Sequence, residues 1–362
     1  MFPFFLFEIP SIMKELKTSL TVQLAAMIVI LAGVMAAKSL ILPVILAVFI
    51  SVICTQPILW LEKKKIPYSL AILIVLVSVG LVLVLFGGII GNSISAFMKD
   101  APKYEDSLRQ MLTSIIDDLN NAGANINRRQ LLDLIDPGKI LGFTTRALSE
   151  VGRIMSDSFL ILFITIFMLL ETKTFINKTR LVEKIHGNSL KHLDKIGASI
   201  RHYLSIKTVI SLLTGLFIWI WLLIAGVDYA ILWGVIAFLL NYIPSIGSII
   251  AAVPTVLLAL LQLGVGGMIW TGVGYLLVNV VMGSVIEPKV MGKGLGLSTL
   301  VVFLSLISWG YIFGTIGMFL SVPLTITIKI MLEQNERTKW IAILLGTGEE
   351  SMEIIEKEYT NQ

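Results

Sequence analysis

Apolar runs near membrane-spanning length alternate with short polar links along most of this chain. A helix needs about 20 predominantly apolar residues to cross a bilayer. Runs of this kind occupy residues 20–37, 40–61, 68–90, 154–170, 209–225 and 268–286. Two further apolar stretches, Tyr229 to Leu263 and Thr299 to Met331, are too long for one crossing. Each is interrupted by a polar break rich in Pro, Gly or Ser. The first break is Asn241-Tyr242-Ile243-Pro244-Ser245-Ile246-Gly247-Ser248; the second runs from Ser308 through Gly310 and Gly314 to Gly317. Tyr242-Ile243, Gly247 and Val253-Pro254 in the first answer to Tyr311-Ile312, Gly317 and Val322-Pro323 in the second, with slight slippage. Non-helical backbone at membrane depth is tolerated only where protein buries it or where it lines a cavity. A pair of broken helices in corresponding halves points to a transport site. The pattern therefore predicts an all-α, polytopic membrane protein with two broken, re-entrant helical hairpins. Their expected break positions are Pro244, Gly247, Pro254, Gly310, Gly314, Gly317 and Pro323.

The polar segments divide the chain further. Residues 1–97 read as N-terminal scaffold spans and 98–153 as an extracytoplasmic amphipathic insertion. In that insertion Tyr104, Leu108, Leu112, Ile115 and Leu119 recur at helical spacing, and Pro137-Gly138 breaks a second amphipathic piece. Residues 154–207 read as the fourth span followed by basic amphipathic helices lying along an anionic leaflet. Residues 208–332 form the transport core, and 333–362 a cytoplasmic tail.

Composition sets the class: 56% of residues are hydrophobic and 14% charged, with a mean hydropathy of +0.90. A lipid bilayer is the implied partner, and no nucleic-acid patch is present. Cys54 is the sole cysteine, which excludes an intrachain disulfide and a multi-cysteine metal site. The Lys and Arg excess falls on 62–65, 171–207 and 287–293, which the positive-inside rule places in the cytoplasm. Counting crossings then puts both termini inside and 98–153 outside. The two hairpins would enter from opposite faces, as an inverted repeat. All three histidines, His186, His192 and His202, lie in one cytoplasmic segment, where solvated positions suit them better than a metal site. The zinc-protease H-E-x-x-H motif and the phosphate-binding Gly-rich loop are both missing from the sequence, so an enzyme is not expected.

No Asp, Glu, Lys or Arg occurs from Tyr229 to Ile286 or from Gly294 to Ile328. Neutral hydrogen-bonding groups do occur there. Asn241, Ser245, Gln262, Asn279 and Ser308 are the candidates for holding a small polar solute, although each Asn could instead make only an interhelical hydrogen bond. Glu287, Pro288 and Lys289 sit at the inner end of the core. Glu287 shares an expected helix face with Asn279 and Gly283, and can gate, couple to sodium or a proton, or pair with Lys289 or Lys293. Asp228 reads as a turn residue. No cofactor is expected beyond a coupling ion.

The sequence resembles the autoinducer-2 exporter family of bacterial permeases. The resemblance rests on Asn241 to Gly247, Ala252-Val253-Pro254, Glu287-Pro288-Lys289-Val290-Met291-Gly292 through Gly296-Leu297, Gly314 to Met318, and Ser321 to Leu324. It covers nearly the whole chain. Ser298-Thr299 and Phe313-Gly314 depart slightly from the usual family pattern. The resemblance implies an inner-membrane transporter, a homo-oligomer, that exports autoinducer-2 or exchanges sodium for protons. A membrane scaffold without transport is the alternative from another class.

Overall fold

The computed structural model describes residues 20–124, 137–186, 191–244, 246–291, 296–335 and 338–348. Residues 1–19, Ser245, the 292–295 link and the final tail from residue 349 lie outside these. The described residues are helical throughout, joined by short turns. Six stretches are long and apolar enough to cross a bilayer, and three shorter apolar helices accompany them. The molecule is a multi-pass helical membrane protein.

Helix α1 (Leu20–Ala36) and helix α2 (Lys38–Lys63) meet at Ala37, whose φ of −90° and ψ of 7° are only a kink away from helical. A helical hairpin needs a loop of about two to five residues, so α1 extends α2 and does not fold back against it. The crossing expected of residues 20–37 is not an antiparallel partner of the next, and the N-terminus loses that support for a cytoplasmic position. After a turn through Lys65, α3 (Tyr68–Asn121) runs unbroken for 54 residues, roughly 80 Å at 1.5 Å per residue. The expected third span and the expected insertion helix are thus one rod. Tyr104, Leu108 and Ile116 are its buried distal contacts, whereas Ile115 and Leu119 are exposed. Helix α4 (Pro137–His186) returns alongside it. Pro137 opens this helix, as suits a residue without an amide hydrogen at a first helical turn; the piece expected before it lies outside the described residues.

Helix α5 (Lys191–Ala225) likewise joins the expected amphipathic helix to the fifth span without interruption. Part of its apolar stripe packs on protein. Ile200 and Leu204 are buried against Phe49, Leu320 and Ile326. Continuity with the span forces this: a straight helix that crosses the membrane cannot also lie flat upon it.

The two broken stretches fold as helix–turn–helix units. In the first, α6 (Ala230–Leu240) has 11 residues. It is followed by a turn and by α7 (Gly247–Asn279), which kinks at Gly264. In the second, α9 (Thr299–Phe313) has 15 residues and α10 (Thr315–Glu333) has 19. Between the units come a π-helical segment, Val280–Ile286, and the short α8 (Glu287–Met291). A last short helix, α11 (Lys339–Leu345), packs on α10. The second unit breaks at Gly314 alone; Gly310 is helical, as are Pro254 and Pro323 within α7 and α10.

Gly247 and Gly317 play the same part in the two units. A Cβ on Gly247 would lie 1.8 Å from the Leu240 carbonyl oxygen, and one on Gly317 1.9 Å from that of Trp309. Each glycine lets one arm rest directly on the backbone of the other. A similar approach joins α5 to α6, where a Cβ on Gly215 would meet the Gly234 carbonyl oxygen at 2.7 Å. Small residues allow backbones this close, and in lipid such packing drives helix association. Around this crossing, Ile218, Leu222, Leu232, Trp233, Leu258 and Ala259 form the largest core.

Candidate functional site

Helix α5 carries a polar stripe into the apolar interior. Lys207, Ser211 and Thr214 recur at helical spacing, with Thr208 beside them, and Lys207 is only 3% exposed. The Lys207 Nζ donates to Glu287 Oε1 at 2.6 Å. A buried charge is tolerated only when paired, and this pair joins α5 to the base of the sixth span. Glu287 therefore takes a partner from another helix, and not Lys289, which is exposed. Glu287 is the carboxylate expected at the inner end of the core, and the structure adds the buried Lys207 beside it. Its charge lies just outside the stretches read as uncharged. Lys329 is a second case: it is 5% exposed and donates to the Gly296 carbonyl oxygen at 2.6 Å, with Glu333 at 3.7 Å.

One turn further along α5, the first break docks. Asn241 Nδ2 donates to Ser211 Oγ at 2.9 Å, and the Tyr242 hydroxyl to Thr208 Oγ1 at 2.8 Å. The Tyr242 ring also lies 6.0 Å from that of Phe319, which follows Gly317 in the second unit. The two units thus meet at the polar stripe of α5. Lys207, Thr208, Ser211, Asn241, Tyr242, Glu287 and Phe319 form one connected, largely buried contact network.

A π-helical segment delivers Glu287 to this place. Pro288 has no amide hydrogen, and its ring would collide with the carbonyl of Ser284 in a regular α-helix. The chain widens instead, and the Glu287 amide bonds to the Met282 carbonyl oxygen, five residues back. Such widened turns rotate whatever follows and occur often at functional positions. The expected common face of Asn279, Gly283 and Glu287 assumed regular α-helix; the widened turn changes the angles between them, but Asn279 and Gly283 remain neighbours. Asn279 is half-buried, and a Cβ on Gly283 would lie 3.3 Å from its Oδ1.

The other candidates go elsewhere. Gln262 lies at the opposite end of the first unit. Its Oε1 accepts from the Asp228 amide at 3.1 Å, and its Nε2 donates to the Asp228 carboxylate and to the Tyr104 hydroxyl, the latter at 3.3 Å. Asp228 is more than a turn residue, since Tyr104 also donates to its Oδ2 at 3.2 Å. Next to it, Tyr229 donates to Asp100. Burial, and then that hydrogen bond, push the Tyr229 phenol above its ordinary pKa, so it stays a donor. Ser308 is exposed on α9. Among the described residues no group of three or more His, Cys, Asp or Glu could hold a metal ion.

Sequence reasoning missed Lys207, Thr208, Ser211, Tyr242 and Phe319 as one site. The available signal was the spacing of Lys207, Ser211 and Thr214 at the start of an apolar run, which marks a polar stripe on a spanning helix.

The AI-2E family transporter model matches residues 24–337. A Haemophilus influenzae protein named "Putative transport protein" is 40% identical over 333 residues, covering 90% of this chain and 96% of its own. The AI-2 transport protein TqsA of Escherichia coli K12 is 38% identical over 327 residues, covering 90% of this chain and 95% of its own. YhhT of the same organism, also named a transport protein, is 36% identical over 326 residues, with 90% and 93% covered. These relatives bear the names of transport proteins, not of enzymes. With the match spanning both helix–turn–helix units and the α5 stripe between them, the chain belongs to the AI-2E family of transporters.

Proposed function

We propose that this protein is a secondary transporter that moves a small polar solute, autoinducer-2 or a close chemical relative, out of the cell across the inner membrane by alternating access. The observation that carries this reading is the meeting of the two broken units at Tyr242 and Phe319 on the polar stripe of α5. Hydroxyl and amide groups converge there beside a protein-buried ion pair, a setting suited to a neutral polyol-like solute. The entry arm of each unit is short for a full crossing, α6 with 11 residues and α9 with 15, against the roughly 20 that a span requires. Short entry arms with mirrored glycine contacts support the reading as two re-entrant hairpins in an inverted repeat, moving in an elevator-like manner. The name of the relative TqsA supports the choice of solute.

Sodium/proton antiport is the second reading, and the Lys207–Glu287 pair favours it. A buried carboxylate held by a lysine can release its partner when a proton or cation arrives. Proteoliposomes holding the purified protein separate the two. Efflux of preloaded autoinducer-2 above that of empty vesicles, reduced at least about tenfold in Asn241→Leu, is the expected result. Such a loss corresponds to one hydrogen-bonding contact to the solute. Sodium-driven proton movement without solute efflux, abolished in Glu287→Gln, would select the antiporter. Absence of both fluxes would overturn transport of either kind.

A further inference from the structure

Two glycines with positive φ bound the hairpin of the first unit: Gly226 at 75° before α6, and Gly264 at 71° where α7 kinks. A Cβ at either position would meet nothing within 4 Å. Glycine is needed there for its backbone conformation, not for space. The unit therefore hangs between two points where the chain is sharply bent and sterically open.

Between those points its two ends are fastened to the same helix. At the entry, Asp228 receives Tyr104 of α3 at 3.2 Å, and Tyr229 donates to Asp100 of α3. At the exit, Gln262 reaches Tyr104 at 3.3 Å and holds Asp228 through both its amide and its carboxylate. Phe97 of α3 completes the contact. Its ring meets Tyr229 and Trp233 edge-on, each with centroids 5.7 Å apart. Tyr229 itself has a φ of 58°, a left-handed conformation that costs a bulky residue free energy and persists only where its surroundings enforce it. Here the enforcing contacts are Asp100 and Phe97.

We propose that Asp100, Tyr104, Asp228, Tyr229 and Gln262 form a clasp that fastens the first unit to the long helix α3 and that opens during each transport cycle, with Gly226 and Gly264 as the hinges. This rests on the transport reading above. The fastening at the ends of the unit is polar, beside the apolar packing of Ile90, Ile94 and Phe97 of α3 on the unit; on α5 the unit is held by close backbone packing and by the Asn241 and Tyr242 hydrogen bonds. Polar contacts of this kind exchange readily for water at an aqueous face. Opening would also release the strained Tyr229, so closed and open states differ by a small free energy, as a cycling gate requires.

The first arm of the test needs no solute. In lipid nanodiscs, amide hydrogen exchange is compared between the wild type and the Asp100→Asn and Tyr104→Phe variants. Exchange in residues 226–240 and 255–264 should rise about tenfold, the effect of losing one charge-assisted hydrogen bond, while α2 stays unchanged as a sign of intact folding. Unaltered exchange in those segments would overturn the clasp. The second arm uses Tyr104→Cys with Asp228→Cys in a Cys54→Ala background, bridged by a cleavable bifunctional thiol reagent. Solute flux should fall at least about tenfold on bridging and recover on cleavage. Undiminished flux through a fully bridged protein would overturn the gating role. Wild-type protein inert towards preloaded autoinducer-2, with exchange still responding to Asp100→Asn, would overturn the transport reading and leave the clasp standing.

Discussion

Single glycines decide whether the two helical units can close. At Gly247 and Gly317 the atom that a methyl group would strike is a backbone carbonyl oxygen, at 1.8 and 1.9 Å. Backbone cannot swing aside as a side-chain tip does, so the arms must separate. Gly247→Ala and Gly317→Ala are each expected to destabilise the protein by about 3 kcal/mol, at the upper end for overpacking, seen as a lower midpoint of thermal unfolding in detergent. Gly80→Ala is the control. No atom lies within 4 Å of its new methyl group, and a helix interior favours Ala over Gly. Stability there should hold or rise. Equal behaviour of all three variants would sink the view that the two glycines are equivalent contact points. The pairing of Gly247 with Gly317 was legible in the sequence, because both follow a Tyr-Ile step and precede a Val-Pro step. The distances behind it were not, since no spacing rule says which glycine of a break touches the opposite arm.

At the scale of elements, the π-helical segment carries the main departure from regular geometry. Sequence spacing placed Asn279, Gly283 and Glu287 on one face by assuming 3.6 residues per turn. Pro288 invalidates that assumption, because a proline within a helix can be met by a kink or by widening, and the local sequence does not choose between them. Replacing it restores a donor and removes the clash, so Pro288→Ala should let the segment tighten to α-helix. Glu287 then rotates away from Lys207. A double-mutant cycle reads this out. In the parent protein, Lys207→Met and Glu287→Gln should be coupled by about 2 kcal/mol or more, because removing either partner leaves a largely buried charge alone. In the Pro288→Ala background the coupling should shrink to a small fraction of that. A coupling that survives would mean the ion pair does not depend on the widened turn. The break positions show the same lesson. Pro254 and Pro323 were read as breaks because proline disfavours helix, yet both lie inside helices that neighbouring packing supports.

For the whole molecule, the long helix α3 connects two cores that hydropathy could not tell apart. The spans were readable from apolar length, and the basic loops from charge. Which spans share a core was not, because lipid-facing and protein-facing apolar residues look alike in a sequence; Phe159 and Phe163 are exposed while Leu169, on the same helix, is buried. The structure separates Cys54, Ile58, Ala71, Ile72, Val75 and Leu169 from the core around α5 and α6. Ile58 is 1% exposed, so Ile58→Ala leaves a cavity costing roughly 2–4 kcal/mol. That loss should stay local if the scaffold and the first helical unit are distinct cooperative units. Hydrogen exchange is expected to quicken in α2, in the start of α3 and around Leu169 in α4, and to stay unchanged in residues 230–263. Faster exchange in both regions would show one cooperative body, in which the first unit could not move against the scaffold without loosening it. Confinement of the effect would mean that the unit is held to α3 by its own contacts, the polar clasp at Asp100 and Tyr104 and the packing of Phe97, independently of the scaffold core around Ile58.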